Sequence, residues 1–279
     1  MNVINKIPGP FLIFMGALSL SFGGLIVKSF EGATLWQILF WRSLFFTMTI
    51  LAFLILTYKK KLFNSFYQSG LPGFFGGVIL SFGFCGYVFA MYNTTVANTN
   101  FIISTQILFL AVFGYLFLKE KISVITLASI ILAITGVLLM VGNSLSPGEM
   151  SGNLAAFSMP ITFAVLIMIV RKFPKVDMVP AQFIAGISSC LIGFLLSEKL
   201  IVSSHDIVLG FTAGFFQVGF GFIFITMGAR STSAAMVGII MLSESVLGPI
   251  WAFLFAGEQP SSFTLIGGGI ILFAVLLQF

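Results

Sequence analysis

The chain has 279 residues, of which 59% are hydrophobic and only 8% are charged, and its formal net charge is +5. Soluble domains carry about 25% charged residues, so this composition excludes a water-soluble fold and predicts a membrane protein with several spans. Nucleic-acid binding would need a clustered basic face, and none appears in the sequence.

Apolar runs of transmembrane length occur ten times along the chain. A helix crosses the hydrocarbon core in about 20 residues. The first run is too long for the apolar part of a signal peptide and lacks a small-residue cleavage site, so we interpret it as a span. The predicted spans are 9–28, 35–57, 71–91, 98–118, 122–142, 152–170, 179–197, 207–228, 233–255 and 262–279.

Positive charges between the spans predict the orientation. With the N-terminus in the cytoplasm, ten basic residues fall on the cytoplasmic side and only Lys28 and Lys199 on the outer side, while Arg42 lies within a span. Cytoplasmic loops of membrane proteins carry an excess of Lys and Arg. We therefore predict that both termini are cytoplasmic. The ten residues are Lys6, Lys59, Lys60, Lys61, Lys119, Lys121, Arg171, Lys172, Lys175 and Arg230.

An internal repeat appears when the chain is shifted by 138 residues. The matches include Phe-Gly-Phe of 82–84 with 220–222, Glu120 with Glu258, and Val-Leu-Leu of 137–139 with 275–277. We predict two copies of a five-helix unit, 1–143 and 150–279. Because the number of helices per copy is odd, the two copies have opposite orientations, as in the inverted repeats of many secondary transporters.

The segments that carry the repeat resemble a known family. FLKEKISVITLASIILAITGVLL (117–139) and FAGEQPSSFTLIGGGIILFAVLL (255–277) are similar to the signature of the EamA domain in the drug/metabolite transporter superfamily. FWRSLFF (40–46) is similar to the aromatic-Arg-aromatic element of the family's second helix, and SESVLGPIWAFLFAGE (243–258) to its ninth helix. The resemblance implies ten helices around a central cavity lined by helices one, three, four, six, eight and nine.

The chain departs from the family pattern at two places. Family members often have a proline directly after the glutamate of helix nine and at the matching position of helix four, where this chain has Ser245 and Ile107. Pro249 is the nearest proline, so we expect the break in helix nine to be displaced toward the outer side. Arg42 has no counterpart in the second copy.

Glu244 stands inside the apolar run IIMLSESVLGPIW (239–251). An ionisable group near the bilayer centre costs at least about 2.5 kcal/mol and usually faces a cavity or a partner. Trp251 shares its helix face by spacing, and a carboxylate beside an aromatic ring suits an organic cation. Three roles stay open: binding a substrate amine, carrying a coupling proton, or a structural bond to a neighbouring helix or to Arg42.

Other side chains at similar depth are candidate substrate-binding residues. Gln106 matches Glu244 under the 138-residue shift. Hydrogen bonds between helices are the alternative role for the polar candidates, and packing is the alternative for the aromatic ones. The full set is Glu244, Gln106, Tyr87, Trp251, Asn100, Ser104, Gln217, Phe82 and Trp41.

Further residues have structural interpretations. Arg42 lies about two turns into helix two, where we expect it to snorkel outward or to form an ion pair within the fold. Gly23 and Gly24 predict a bend in helix one near Ser19 and Ser21. Glu120 and Glu258 recur at helix ends in both copies and are interpreted as structural rather than as substrate ligands.

Metal, cofactor and enzyme functions have little support. The single His205 lies in a loop, and Cys85 and Cys190 lie in apolar runs, as expected of small buried hydrophobes. An intramembrane enzyme needs a nucleophile with a base, an aspartate pair or a metal motif, and a channel favours rings of like residues. We predict no cofactor and no bound metal.

The sequence therefore predicts a secondary transporter in a bacterial-type cytoplasmic membrane, working by alternating access. Its substrate is predicted to be a small amine-bearing or cationic metabolite, such as an amino acid, a methylated amine or an S-adenosyl compound. The alternatives are a proton-coupled exporter of a neutral or anionic metabolite or drug, and a non-transporting structural membrane protein. Coupling to a proton or a sodium ion, and a homodimer, are left open.

Overall fold

The structure is a computed structural model that describes residues 7–119, 124–142, 147–232 and 234–277. All regular secondary structure in these ranges is helical. In the first half the helices are α1 (Gly9–Ser21), α2 (Gly23–Lys28), α3 (Leu35–Tyr58), α4 (Leu62–Asn93), α5 (Val96–Ser104), α6 (Gln106–Leu118) and α7 (Val124–Gly142).

The second half is also helical and contains one π-helical segment. Its helices are α8 (Pro147–Ala156), α9 (Ser158–Lys172), α10 (Val179–Leu196), α11 (Ser204–Phe211), α12 (Gly221–Ala229), α13 (Ala234–Ala256) and α14 (Ser262–Leu276). The π segment, Thr212–Phe220, joins α11 to α12.

Within the described ranges, seven helical stretches are long and apolar enough to cross a membrane. One of them, Leu35–Asn93, has 59 residues, whereas one crossing needs about 20. This stretch is interrupted where Lys59 has φ 47° and again where Gly70 has φ 53°. The prediction of an all-α membrane protein with several spans is confirmed.

The most extensive contacts join a helix of the first half to a helix of the second. α3 and α4 pack on α10, α7 packs on α14, and α1 packs on α12 and α13. α4 and α6 pack on α9, and α3 packs on the π segment. Neither half therefore forms the core of the bundle by itself.

Three apolar segments are interrupted in the middle, at Phe22, Thr105 and Phe157. At each interruption a hydroxyl donates to the carbonyl three residues earlier, at 2.6–2.7 Å; the donors are Ser21, Thr105 and Ser158. Such side-chain bonds compete with the backbone ladder of a helix. They also satisfy carbonyls that would otherwise be stranded without water inside a bilayer.

The interruption at Phe22 confirms the predicted bend in helix one. In helix nine the expected displaced break is absent, because α13 runs from Ala234 to Ala256 through Pro249. A proline removes a single ladder hydrogen bond, and neighbouring groups in a membrane bundle can compensate for it. Helix four is instead interrupted, at Thr105.

The interface between α3 and α10 can be tested with a pair of glycine substitutions. A Cβ added to Gly193 would lie 2.7 Å from the backbone nitrogen of Phe40 and 3.0 Å from the carbonyl oxygen of Trp36, whereas a Cβ on Gly269 meets nothing within 4 Å. Alanine favours a helix over glycine by about 1 kcal/mol at either position. We expect Gly193→Ala to destabilise the protein by about 1–3 kcal/mol and Gly269→Ala to leave it unchanged or more stable.

Thermal unfolding of the purified protein in detergent measures both variants. Equal melting temperatures for the two would contradict the close approach of α3 and α10.

Candidate functional site

A group of buried polar side chains lies where α3, α4, the π segment and α13 approach one another. Arg42 comes from α3, Tyr87 from α4, Gln217 from the π segment and Glu244 from α13. All four are buried. Ionisable groups inside a membrane bundle usually pair with each other or line the path of a substrate. The partners of these four side chains therefore indicate whether the group is structural or binds a substrate.

Arg42 is only 3% exposed, so it does not snorkel to the outer interface as we had allowed. Its guanidinium carbon lies 5.4 Å from the centre of the Phe84 ring and 5.0 Å from that of Tyr87. Within the described part of the chain, no carboxylate lies within 4.0 Å of it. In this conformation the expected ion pair is not formed, and two aromatic rings contact the cation instead.

Glu244 is 5% exposed and projects from the middle of α13. No hydrogen bond or ion pair joins its carboxylate to any residue that the structure describes. Its charge does interact with Arg42, and both interact with Tyr87. The carboxylate thus shares one electrostatic environment with a buried cation without touching it.

Tyr87 and Gln217 meet at the interruption of helix one. A Cβ added to Gly23, the first residue of α2, would collide with the Tyr87 hydroxyl and with Gln217 Nε2. The Tyr87 hydroxyl and Gln217 Oε1 are buried and have no hydrogen-bond partner among the described residues. The missing side chain at Gly23 gives these two groups their room.

Three side-chain bonds tie the interruption in helix one to its neighbours. Gln217 Nε2 donates to the Leu20 carbonyl at 3.2 Å, and Ser19 Oγ donates to the Phe216 carbonyl at 2.5 Å. Trp251 Nε1 donates to Ser21 Oγ at 3.1 Å. A π-helical segment shifts the backbone ladder, so its carbonyls become available to such donors. We call this set of bonds the hinge clasp.

Trp251 also packs on the interruption itself. Its ring stacks on Phe22 with centroids 5.1 Å apart and planes within 8°. Offset stacking of this kind stabilises a contact beyond the burial of its area. Trp251, which belongs to α13 as Glu244 does, therefore packs against helix one.

The helix-four candidates differ in their surroundings. Asn100 packs against Gly248, because a Cβ on that glycine would collide with Asn100 Nδ2. Gly248 lies one turn along α13 from Glu244, so Asn100 is near the buried group. Ser104 donates within its own helix, to the Phe101 carbonyl at 2.6 Å. Gln106 Nε2 is buried and has no acceptor in the described ranges.

Two predicted residues lie apart from the buried group. The Phe82 side chain is 59% exposed on the outside of the bundle. Trp41 donates from Nε1 to the Leu200 carbonyl at 3.0 Å, in the loop that follows α10, and its ring stacks on Phe45. Neither joins Glu244.

A polar cluster that we did not predict lies at the end of the bundle where α2 ends and α5 begins; we call it the outer cluster, after the predicted orientation. Lys28 Nζ donates to the Thr94 carbonyl at 2.8 Å, and Glu258 Oε1 accepts the Val96 N–H at 2.7 Å. Burial raises the pKa of the Glu258 carboxyl, while the Val96 N–H and the charge of Lys28 act in the opposite direction. Glu258 thus has the structural role expected of it. Glu120, its counterpart in the repeat, lies outside the described residues.

More polar residues extend this outer cluster. Thr94 Oγ1 donates to Asn153 Oδ1 at 2.9 Å, and Thr264 Oγ1 donates to Asn98 Oδ1 at 2.6 Å. The cluster therefore connects helices of both halves. Short runs of Thr and Asn beside loops were the signal in the sequence, but their pairing was not readable from it.

A second cluster lies at the opposite end. The Tyr58 hydroxyl donates to Asp177, and Arg230 lies 3.5 Å from the same carboxylate. Tyr58 is the last residue of α3, Asp177 lies in the loop between α9 and α10, and Arg230 directly follows α12, so the cluster joins three helix ends. In the searched ranges no group of three or more His, Cys, Asp or Glu side chains is arranged to hold a metal ion.

Comparison with known proteins identifies the family. The family model for the EamA-like transporter family matches residues 7–142 and again residues 146–279. The chain belongs to the EamA-like transporter family. It is accordingly a multi-pass membrane transporter of small molecules.

Relatives of this EamA-like transporter are also transporters. An uncharacterized transporter of Methanothermobacter thermautotrophicus is 27% identical over 205 residues, which cover 67% of this chain and 57% of that protein. Solute carrier family 35 member G1 of Mus musculus is 27% identical over 280 residues, covering 94% of this chain and 75% of that protein. The Homo sapiens protein of the same name is 26% identical, covering 95% and 77%.

A solved crystal structure shares the fold of this EamA-like transporter. It aligns with a TM-score of 0.69 over 97% of this chain and 96% of that chain, at 16% sequence identity. At this identity the likeness shows the fold alone.

A matched pair of tyrosine substitutions tests whether the Tyr87 hydroxyl has a protein partner. Tyr87→Phe removes a buried hydroxyl that has no bond among the described residues, so we expect unchanged or slightly higher stability of the EamA-like transporter. Tyr58→Phe removes a bond to a carboxylate, so we expect a loss of about 1.5–3 kcal/mol. Melting temperatures in detergent give both values. A Tyr87→Phe variant as unstable as Tyr58→Phe would show that the hydroxyl is structural.

Proposed function

We propose that this EamA-like transporter moves a small amine-bearing metabolite across a bacterial-type cytoplasmic membrane by alternating access. In this proposal the amine binds Glu244. The observation that carries the proposal is a buried carboxylate in the middle of α13 with no hydrogen bond or ion pair to any described residue. A carboxylate in such a place costs free energy unless a cation neutralises it, and a substrate ammonium group is a suitable cation.

We also propose ten spans in two inverted copies, with both termini cytoplasmic. The charge asymmetry between the loops supports the orientation. The two interruptions in Leu35–Asn93 support two crossings there. The helix contacts support two related copies, because a helix of the first copy and its counterpart in the second copy make matching contacts with the other copy. α1 contacts α12 and α13, and its counterpart in the second copy, α8, contacts α4 and α5.

Alternating access requires parts that move and contacts that open. The interruptions at Phe22, Thr105 and Phe157 and the π segment lie in helices next to the buried group, which supports them as hinges. The polar clusters at the two ends of the bundle are suited to close it on either side. Release toward one side would require breaking only the cluster on that side.

The nearby aromatic rings support a cationic group on the substrate. Trp251 lies about two turns along α13 from Glu244. Ring faces attract cations, and this attraction grows where water is excluded. Coupling to a proton or a sodium ion, and a homodimer, stay predictions from the sequence.

The test compares two glutamate substitutions with the same change of charge. Glu244→Gln keeps the shape of the side chain and removes the charge in the interior, while Glu198→Gln removes a charge from an exposed loop. We expect Glu244→Gln to weaken binding of an amine substrate about tenfold to a hundredfold, because a hydrogen bond to a charged group contributes about 1.5–3 kcal/mol. Glu198→Gln should bind as the wild type does.

Binding is measured as a shift in thermal unfolding of the purified protein, since a ligand stabilises the folded state by mass action. The panel contains amino acids, polyamines, quaternary amines, nucleosides, S-adenosyl compounds and sugar phosphates. Uptake of the best ligand into proteoliposomes follows. Stabilisation by sugar phosphates alone, or an unchanged uptake and pH profile in Glu244→Gln, would contradict the amine assignment.

A further inference from the structure

We propose that Arg42 is a second substrate-binding residue and that it binds a carboxylate, so that the substrate is a small zwitterion. This inference rests on the proposed function, since it takes Glu244 as the residue that binds the amine. It adds a second recognised group to the substrate and names a residue whose interpretation from sequence was structural.

The first argument is the number of donors that Arg42 leaves unused. A guanidinium carries five N–H donors and is always charged inside a protein. Arg42 is buried, and its Nε has no hydrogen-bond partner in the part of the chain that the structure describes. Buried charges are ordinarily paired, because an isolated one is poorly tolerated away from water. Arg230 Nε also lacks a partner among the described residues, but the charge of Arg230 is paired, because its Nη2 lies 3.5 Å from Asp177 Oδ1.

The second argument comes from the rings around Arg42. Phe84 and Tyr87 lie 5.4 Å and 5.0 Å from its guanidinium carbon. Contact with a ring face stabilises the charge but satisfies none of the N–H donors. The rings hold the cation in position, and the planar fork of donors remains suited to a carboxylate.

The third argument is the relation between Arg42 and Glu244. Their charges interact, yet more than 4.0 Å separates them, so they do not neutralise each other by direct contact. A small molecule that carries a carboxylate and an ammonium group on one carbon would present one group to each. The Tyr87 hydroxyl, which interacts with both and has no described partner, is available to the same ligand.

The experiment uses three series of ligands that separate the two charges. Each series contains an amino acid, the amine that lacks its carboxylate and the acid that lacks its amine. The series are L-leucine with isopentylamine and 4-methylpentanoate, L-phenylalanine with phenethylamine and 3-phenylpropanoate, and L-serine with ethanolamine and 3-hydroxypropanoate. Apparent affinities come from thermal shifts of the full chain in detergent across ligand concentrations.

We expect the wild type to bind the amino acid of at least one series at least tenfold more tightly than its amine. Arg42→Gln should abolish this preference, so that the amino acid binds only as tightly as the amine, while the affinity for the amine itself stays within about twofold. Arg42→Lys keeps a charge but not the planar fork, so it should retain part of the preference. Glu244→Gln should weaken both the amino acid and the amine.

Arg230→Gln is the matched control, because it removes an arginine that has a carboxylate partner far along the chain from Arg42. It should lower the melting temperature and leave the preference for the amino acid unchanged. If Arg42→Gln does not fold, the partial loss in Arg42→Lys still tests the proposal.

Several results would overturn the inference. If the wild type bound amines as tightly as amino acids, recognition of a carboxylate would be excluded, while the proposed function would still stand. Equal weakening of amine and amino acid by Arg42→Gln would make Arg42 structural. Binding of the acids alone, or of none of the three series, would overturn this inference. The proposed function would still stand if the wild type bound an amine from the wider panel and Glu244→Gln lost that binding.

Discussion

The absence of water inside a bilayer is the constraint on which this structure depends. Every backbone group must find a partner within the protein, and helices provide one for nearly all of them. Where a helix is interrupted, as at Phe22 and Thr105, hydroxyl groups bond the freed carbonyls. The same constraint makes Arg42 and Glu244 conspicuous, because they are buried ionisable groups that form no ion pair with any described residue.

The buried group and the irregular backbone belong together. Gly23 leaves room for Tyr87 and Gln217 at the point where helix one is interrupted, and Gln217 lies in the π segment. A ligand that reorganises these side chains would act directly on the hinge clasp. Under the proposed function, binding and movement would be coupled over a distance of a few side chains, as a transport cycle requires.

The sequence predicted a helical protein with several spans, because long apolar runs have one good solution in a membrane. It also singled out Glu244, Gln217 and Tyr87, which are polar groups in apolar surroundings. It could not predict which way each helix faces. Lipid and protein interior are both apolar, so the hydrophobic pattern hardly records rotation about the helix axis. Phe82 was therefore predicted to line the site although it lies outside, and Arg42 was allowed to snorkel outward although it is buried.

The pairing of one buried cation with one buried anion has an electrical consequence. Moving a single charge across the membrane potential involves about 2.3 kcal/mol for each 100 mV. A carrier with only Glu244 ionised would do such work whenever its empty site changed sides. Under the proposed function, an ionised Arg42 would leave the empty site with no net charge, and a bound zwitterion would add none. The membrane potential would then do no work on the site, and the concentrations of substrate on the two sides would drive the cycle.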